Sequence, residues 1–420
     1  MGLNADVLIR SVLFVAVFLI VWVSLHPFSS LADPPSETTE AGNRANQIGF
    51  SLAFVVLATW AWFNECGRLK PLLRPALVVM FAWFVLTAVT SWDPGLSVRR
   101  FAFTLIVMAL ASIMLLLPKS LRHFADLLTV LAGIILAVCY LGVLLAPSVS
   151  VHQFTDFLEP EHAGSWRGLF AHKNQAGAIM VILVFIGLFV ARVRSVAIGG
   201  AIVVLAGIFL VCSHSKTSIA MLPLVLLVSA VLVAVRQPLV QGVVAFGILL
   251  AINLFSVGAA IFPQVQSALE LVIPDPTFTG RTDIWQFSLD QLARHPITGY
   301  GFSAFWGTEQ VVYGLASGFT WATAATDAHN AYLNTALTTG LPGLLLAVLW
   351  IVILPLRDFQ RLALDGPESA LSILFLRVWL FGIYASSFES TLFQQVGEVW
   401  FILIVAVFGL RLLSTSRVTA

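Results

Sequence analysis

The chain has 420 residues, of which 59% are hydrophobic and only 10% charged, with a formal net charge of +1. A soluble domain carries roughly 25% charged residues, so this chain cannot cover its surface with polar groups in water. A lipid bilayer is the solvent that fits, and the near-neutral charge leaves no basic footprint for nucleic acid.

A spanning helix needs about 20 largely apolar residues. Runs of that kind fall near 7–26, 47–64, 75–91, 101–117, 124–146, 174–191, 196–212, 219–235, 242–262, 331–355, 370–387 and 394–413. They predict an all-α polytopic membrane protein of about twelve transmembrane helices, one bundle over residues 1–420. The first run follows Asp6 and Arg10 with no small-residue cleavage site after it, so it reads as a span and not as a signal peptide. Cys66, Cys139 and Cys212 show neither a disulfide pattern nor metal-ligand spacing.

The distribution of Lys and Arg sets the orientation. With the N-terminus inside, the inner side holds Arg68, Lys70, Arg74, Lys119, Arg122, Arg192, Arg194, Arg236, Arg357, Arg361, Arg411 and Arg417, with Arg10 and Arg377. The longer outer segments hold Arg44, Arg99, Arg100, Arg167, Lys173, Lys216, Arg281 and Arg294. Both termini are then cytoplasmic. Every histidine except His123 falls outside, and two outer connections, 147–173 and the large loop 263–330 between the ninth and tenth spans, carry most of the polar residues. A protein that gathers its polar groups on one face is expected to work there.

Five outer segments hold the candidate chemistry. Arg99 and Arg100 follow Trp92-Asp93-Pro94; they read as snorkelling anchors or phosphate ligands. Ser165 to Gly177, SWRGLFAHKNQAG, packs Arg167, His172 and Lys173 between aromatics beside Asn174. It suits a polyanion or a sugar, or else anchors helix ends at the interface. Ser213 to Ser218, SHSKTS, puts Lys216 on the side where cations are scarce.

In the large loop, Arg281 to His295, RTDIWQFSLDQLARH, has the period of an amphipathic helix. Ile284, Trp285, Ser288, Leu289 and Leu292 share one face, and Asp283, Gln286, Asp290 and Arg294 the other. Thr282 or Thr279 is the expected cap. Arg281 at the start of that helix either reinforces an anion site made by free backbone N–H groups or pairs with Asp283 or Asp275. Last comes Asp327-Ala328-His329-Asn330. His329 beside an acid can act as general base, or Asp327 or Asn330 simply caps the next helix. Asn334, Gly340, Pro342 and Gly343 mark a break or close packing inside that helix. No cluster of acids supports a divalent metal.

The ordered set WRGLFAHKNQAG, SHSKTS, GRTDIW, HPITGYGFSAF and DAHNAYLNTALTTGLPG resembles the O-antigen ligase and polysaccharide polymerase (Wzy/ExoQ-type) superfamily over about residues 47–410. The first segment is most like the ExoQ-branch exopolysaccharide polymerases. The resemblance implies a bacterial inner-membrane glycosyltransferase, GT-C-like, whose donor is an oligosaccharide on undecaprenyl pyrophosphate. It implies no metal and no other cofactor, and an active face that is periplasmic. Implied partners are the lipid-linked oligosaccharide, membrane lipid, a chain-length regulator and export proteins, and no nucleic acid.

The family's essential histidine falls on His329 and its pyrophosphate-binding arginine on Arg281. A second family arginine falls on Lys216, which keeps the charge but loses the bidentate fork. Arg100, Arg167, His172, Lys173, Asn174, Asp327 and Asn330 complete the expected substrate contacts. The resemblance implies polymerisation of repeat units by inverting transfer. The alternatives are ligation of glycan to lipid A core or protein and, in another class, a polysaccharide transporter or flippase. Few ionisable residues in the membrane core and no inverted repeat weigh against the last.

Overall fold

The computed structural model describes residues 5–23, 27–32, 44–157, 159–271, 280–315, 325–366, 368–394 and 397–416. Among them every regular element is helical, apart from one isolated bridge between Val151 and Trp166. Each apolar run read from the sequence is a helix. The first nine are α1 (Ala5–Val23), α2 (Arg44–Asn64), α3 (Pro75–Val89), α4 (Pro94–Met114), α5 (Leu121–Leu145), α6 (Lys173–Val193), α7 (Val196–Cys212), α8 (Lys216–Ala234) and α9 (Pro238–Phe255). The loop helix α10 (Arg281–Arg294) follows, then α11 (Ala331–Gln360), α12 (Ser369–Ala385) and α13 (Glu398–Ser416).

Nine of the apolar helices among the described residues are long enough to cross a membrane, while α3, α7 and α12 are shorter. At 17 residues, α7 and α12 reach about 26 Å, a little under the roughly 30 Å of a hydrocarbon core.

Helix starts follow local chemistry. Pro75, Pro94 and Pro238 open α3, α4 and α9, where the missing N–H is no loss. Ser120 caps α5 by accepting from the His123 N–H at 3.1 Å. Burial separates centre from rim. The apolar windows of α6 and α13 are 72% and 78% buried, so these form the bundle centre, whereas α2 and α9, at 17% each, present their side chains outward as lipid-facing helices do. Gly199 of α7 lets α6 close in, because a methyl there would stand 2.3 Å from the Ala191 nitrogen.

The connections sort to two ends, as the charge pattern predicts. At one end Asp358 takes Arg74 at 2.5 Å and Ser414 at 3.2 Å, Arg10 meets Asp6 at 3.0 Å and Glu65 at 3.4 Å, and Arg194 meets Asp126 at 2.7 Å. At the other end the long connections fold together. There α10, the 300–306 segment and the start of α11 share a small core of Ile284, Trp285, Phe287, Tyr300, Phe305 and Leu337, separate from the bundle core.

The helix α10 has the expected bounds, and Asp283, Gln286, Asp290 and Arg294 face solvent. Phe287 and Gln291 are also buried, the latter because its Oε1 accepts from the Tyr300 hydroxyl at 3.1 Å. Gly280, at φ 82°, holds the N-cap position, with no side-chain cap hydrogen bond among the described residues. Thr282 lies inside the first turn, and Thr279 falls outside the described residues.

The break expected in α11 is at Gly340, with φ 73° and ψ 174°. The segment 296–303 lies across it. Leu341 N–H donates to Pro296 O at 2.8 Å, Tyr300 N–H to Leu337 O at 3.1 Å and Gly301 N–H to Thr338 O at 2.9 Å. A methyl on Gly340 would sit 1.8 Å from the Ile297 carbonyl oxygen, so only glycine permits the approach. The other side of the segment is held by α4, through Ser97 Oγ donating to Phe302 O at 2.7 Å and Arg100 donating to Ser303 O.

Candidate active site

The turn before α11 is fixed on every side. Asn330 is the N-cap, its Oδ1 accepting from Leu333 N–H at 2.9 Å. Its amide donates to Asn253 Oδ1 at 3.0 Å and Ser387 O at 2.9 Å, which ties α11 to the ends of α9 and α12. Trp285 of α10 donates to the Ala328 carbonyl at 3.0 Å. Asp327 Oδ1 accepts the His329 backbone N–H at 2.7 Å. His329 is left at φ 46°, a left-handed conformation that non-glycine residues keep only where the surroundings impose it. Asn330 is therefore the cap, and the His329 ring projects from the turn with 31% of its side-chain surface exposed.

The centre of the arrangement is a residue the sequence reading passed over. Glu389 lies in the short connection between α12 and α13. Its Oε1 accepts from Arg281 Nη2 at 3.0 Å and from Asn174 Nδ2 at 3.4 Å, and its Oε2 is 3.7 Å from His329 Nδ1. Arg281 also donates to the Phe388 carbonyl. His329 Nδ1 is 3.7 Å from Asp327 Oδ1 as well. These are ion-pair distances, too long for hydrogen bonds, and Nδ1 has no hydrogen-bond partner among the described residues. One carboxylate thus joins Arg281, predicted as the anion ligand, His329, predicted as the base, and Asn174 of the HKN segment. The signal that could have found it is a lone acid in the otherwise uncharged connection SSFESTLFQQVG between two spans.

Charge tunes these groups against burial. Burial disfavours a charged His329, but Glu389 and Asp327 outweigh burial and the repulsion of Arg281, and its pKa lies above the ordinary histidine value. Burial favours a neutral Glu389, but His329 and Arg281 outweigh it and keep the carboxyl below the usual range.

The remaining predicted residues divide into neighbours and struts. Asn174 Oδ1 accepts from Ser215 Oγ at 3.3 Å, which brings the SHSKTS turn to the centre. Lys216 follows at the exposed first position of α8, and Lys173 opens α6; neither forms an ion pair among the described residues. His172 caps α6, its Nδ1 accepting from Asn174 N–H at 3.1 Å. Two of the expected substrate contacts instead hold backbone. Arg167 is 1% exposed and donates to Ser29 O at 2.7 Å and Phe170 O at 3.2 Å. Arg100 is turned to the Ser303 carbonyl.

The fold is that of a polytopic membrane protein, and residues 201–348 match the O-antigen ligase family (Wzy_C). That stretch contains Lys216, Arg281, Asp327, His329 and Asn330, whereas Asn174 and Glu389 lie outside it. Over 232 residues the chain is 27% identical to the exopolysaccharide production protein ExoQ of Rhizobium meliloti (strain 1021). The match spans about half the length of each, 50% of this chain and 51% of that relative. The two matches together support the O-antigen ligase and ExoQ-type superfamily.

Proposed function

We propose that the chain polymerises oligosaccharide repeat units carried on undecaprenyl pyrophosphate into exopolysaccharide, by inverting glycosyl transfer at the periplasmic face. The observation that carries the reading is the meeting of Arg281, His329 and Asn174 on Glu389. The donor's leaving group is a lipid pyrophosphate that departs with negative charge. Fixed cations and backbone donors stabilise such charge where no water competes. Arg281 is the first residue of α10, so guanidinium and helix dipole act on the same anion. Lys216 and Lys173 add charge from α8 and α6.

The acceptor hydroxyl must lose its proton as it attacks the anomeric carbon. His329 takes it, and the resulting imidazolium is stabilised by Glu389 and Asp327. Direct displacement inverts the anomeric centre. Ligation to lipid A core or protein uses the same groups with a different acceptor. Polymerisation is favoured by the HKN segment, whose Asn174 reaches the Glu389 carboxylate, and by the relative whose name is exopolysaccharide production.

The test is His329→Ala in the producing strain. Long polysaccharide is lost while single repeats still reach the cell surface and the protein level in the membrane is unchanged. Normal long chains from that variant would reduce His329 to a turn residue and defeat the mechanism.

A further inference from the structure

The outer connection between α5 and α6 holds a second group of titratable side chains that the transfer chemistry does not use. His152, His162 and His172 converge, with ring centroids 5.2 to 5.8 Å apart. His152 is fully engaged: Nδ1 is 2.8 Å from Asp156 Oδ2, and Nε2 accepts from Lys173 N–H at 3.2 Å. The other two rings turn Nε2 toward one carboxylate. Glu159 Oε2 is 2.8 Å from His172 Nε2 and 3.9 Å from His162 Nε2. His172 Nε2 is shielded from solvent and has no hydrogen-bond partner among the described residues, so Glu159 lies off the ring's donor direction.

We infer that Glu159, His162 and His172 bind a divalent transition ion of the zinc type. The three ligand atoms lie within 4.8 Å of one another. A tetrahedral ion with bonds of about 2.0 to 2.2 Å sets its ligands roughly 3.3 to 3.6 Å apart, a closure within reach of side-chain rotation. Two imidazoles with one carboxylate suit zinc; magnesium and calcium call for oxygen sets.

Three protein ligands leave the fourth position to water. The metal fastens Glu159 and His162 of the loop to the residue that caps α6. A metal at Nε2 leaves the His172 ring proton on Nδ1, so the ring releases the Asn174 N–H. The ion therefore acts beside the residue that touches Glu389, and its binding does not depend on what that site catalyses.

The test uses the full chain in detergent or nanodiscs, stripped with chelator and titrated with zinc chloride and, for its spectrum, cobalt chloride. One ion per chain is expected, with tetrahedral cobalt absorption and no competition from magnesium. His162→Ala is the decisive variant, because His162 has only a 3.9 Å contact to Glu159 to lose. It is expected to weaken zinc binding at least 10-fold with the metal-free melting temperature unchanged. His172→Gln is expected to abolish binding, and His295→Ala, outside the cluster, to leave it intact. Equal zinc affinity in wild type and His162→Ala, or binding removed only by His295→Ala, would overturn the site.

Discussion

Glu389 is the residue on which the candidate chemistry turns, since it neutralises Arg281 and raises His329 at once. The sign of its effect can be worked out. The folded-state pKa of His329 lies above the unfolded value, so its charged form contributes stability below about pH 6.5, and that contribution is lost as pH rises through the raised value. As the proposed base, His329 must be neutral, so kcat/KM is expected to rise with pH through a midpoint above the ordinary histidine value. Glu389→Gln removes a raising charge and moves that midpoint down; an unmoved midpoint would separate Glu389 from the base. The stability cost is small, about 1 kcal/mol, because Arg281 and Glu389 are 19% and 33% exposed and solvent screens the pair.

Arg281 and His329 were visible in the sequence through their motifs. Glu389 was not, because it stands 108 positions from Arg281 and 215 from Asn174 and has no periodic pattern around it. The backbone contacts of Arg167 and Arg100 were hidden for a related reason. A cation in an outer segment has the same letter whether it faces a ligand or a backbone carbonyl.

At the scale of the element, the described part of the connection between α9 and α11 is folded, with its own small core. Its helix α10 was legible because a 14-residue amphipathic period encodes both bounds and face. The kink in α11 was legible from the glycines and proline around it. What closes on the kink was not: segment 296–303 approaches from more than a helix away in sequence, guided by glycine contacts that only three dimensions show.

Gly340→Ala tests the joint. The residue sits at φ 73°, and the added methyl would meet Ile297 O at 1.8 Å. Strain alone costs about 1 to 3 kcal/mol, and the clash expels the segment. Residues 296–306 are expected to exchange amide hydrogen faster and to be cut sooner by protease. Gly67→Ala, with nothing within 4 Å, is the control and changes neither. Unaltered protection in Gly340→Ala would show that the segment is held without the kink.

Over the whole molecule, the helical runs were legible because a bilayer imposes one length and one polarity on every span. Charge placement then sorted the connections, and the ion pairs of Asp358, Arg10 and Asp126 at one end, with the Arg281–Glu389–His329 group at the other, follow that sorting. Under the proposed function the bundle offers a lipid-linked donor its place, with the tail among helices and the pyrophosphate at the α10 N-terminus. The most direct measurement gives purified protein a defined undecaprenyl-pyrophosphate-linked repeat unit as both donor and acceptor. A ladder of longer lipid-linked chains is expected from the wild type. Arg281→Ala, correctly inserted, is expected to be slower by about 10²- to 10³-fold. No chain growth from the wild type, or a wild-type rate from Arg281→Ala, would contradict the account.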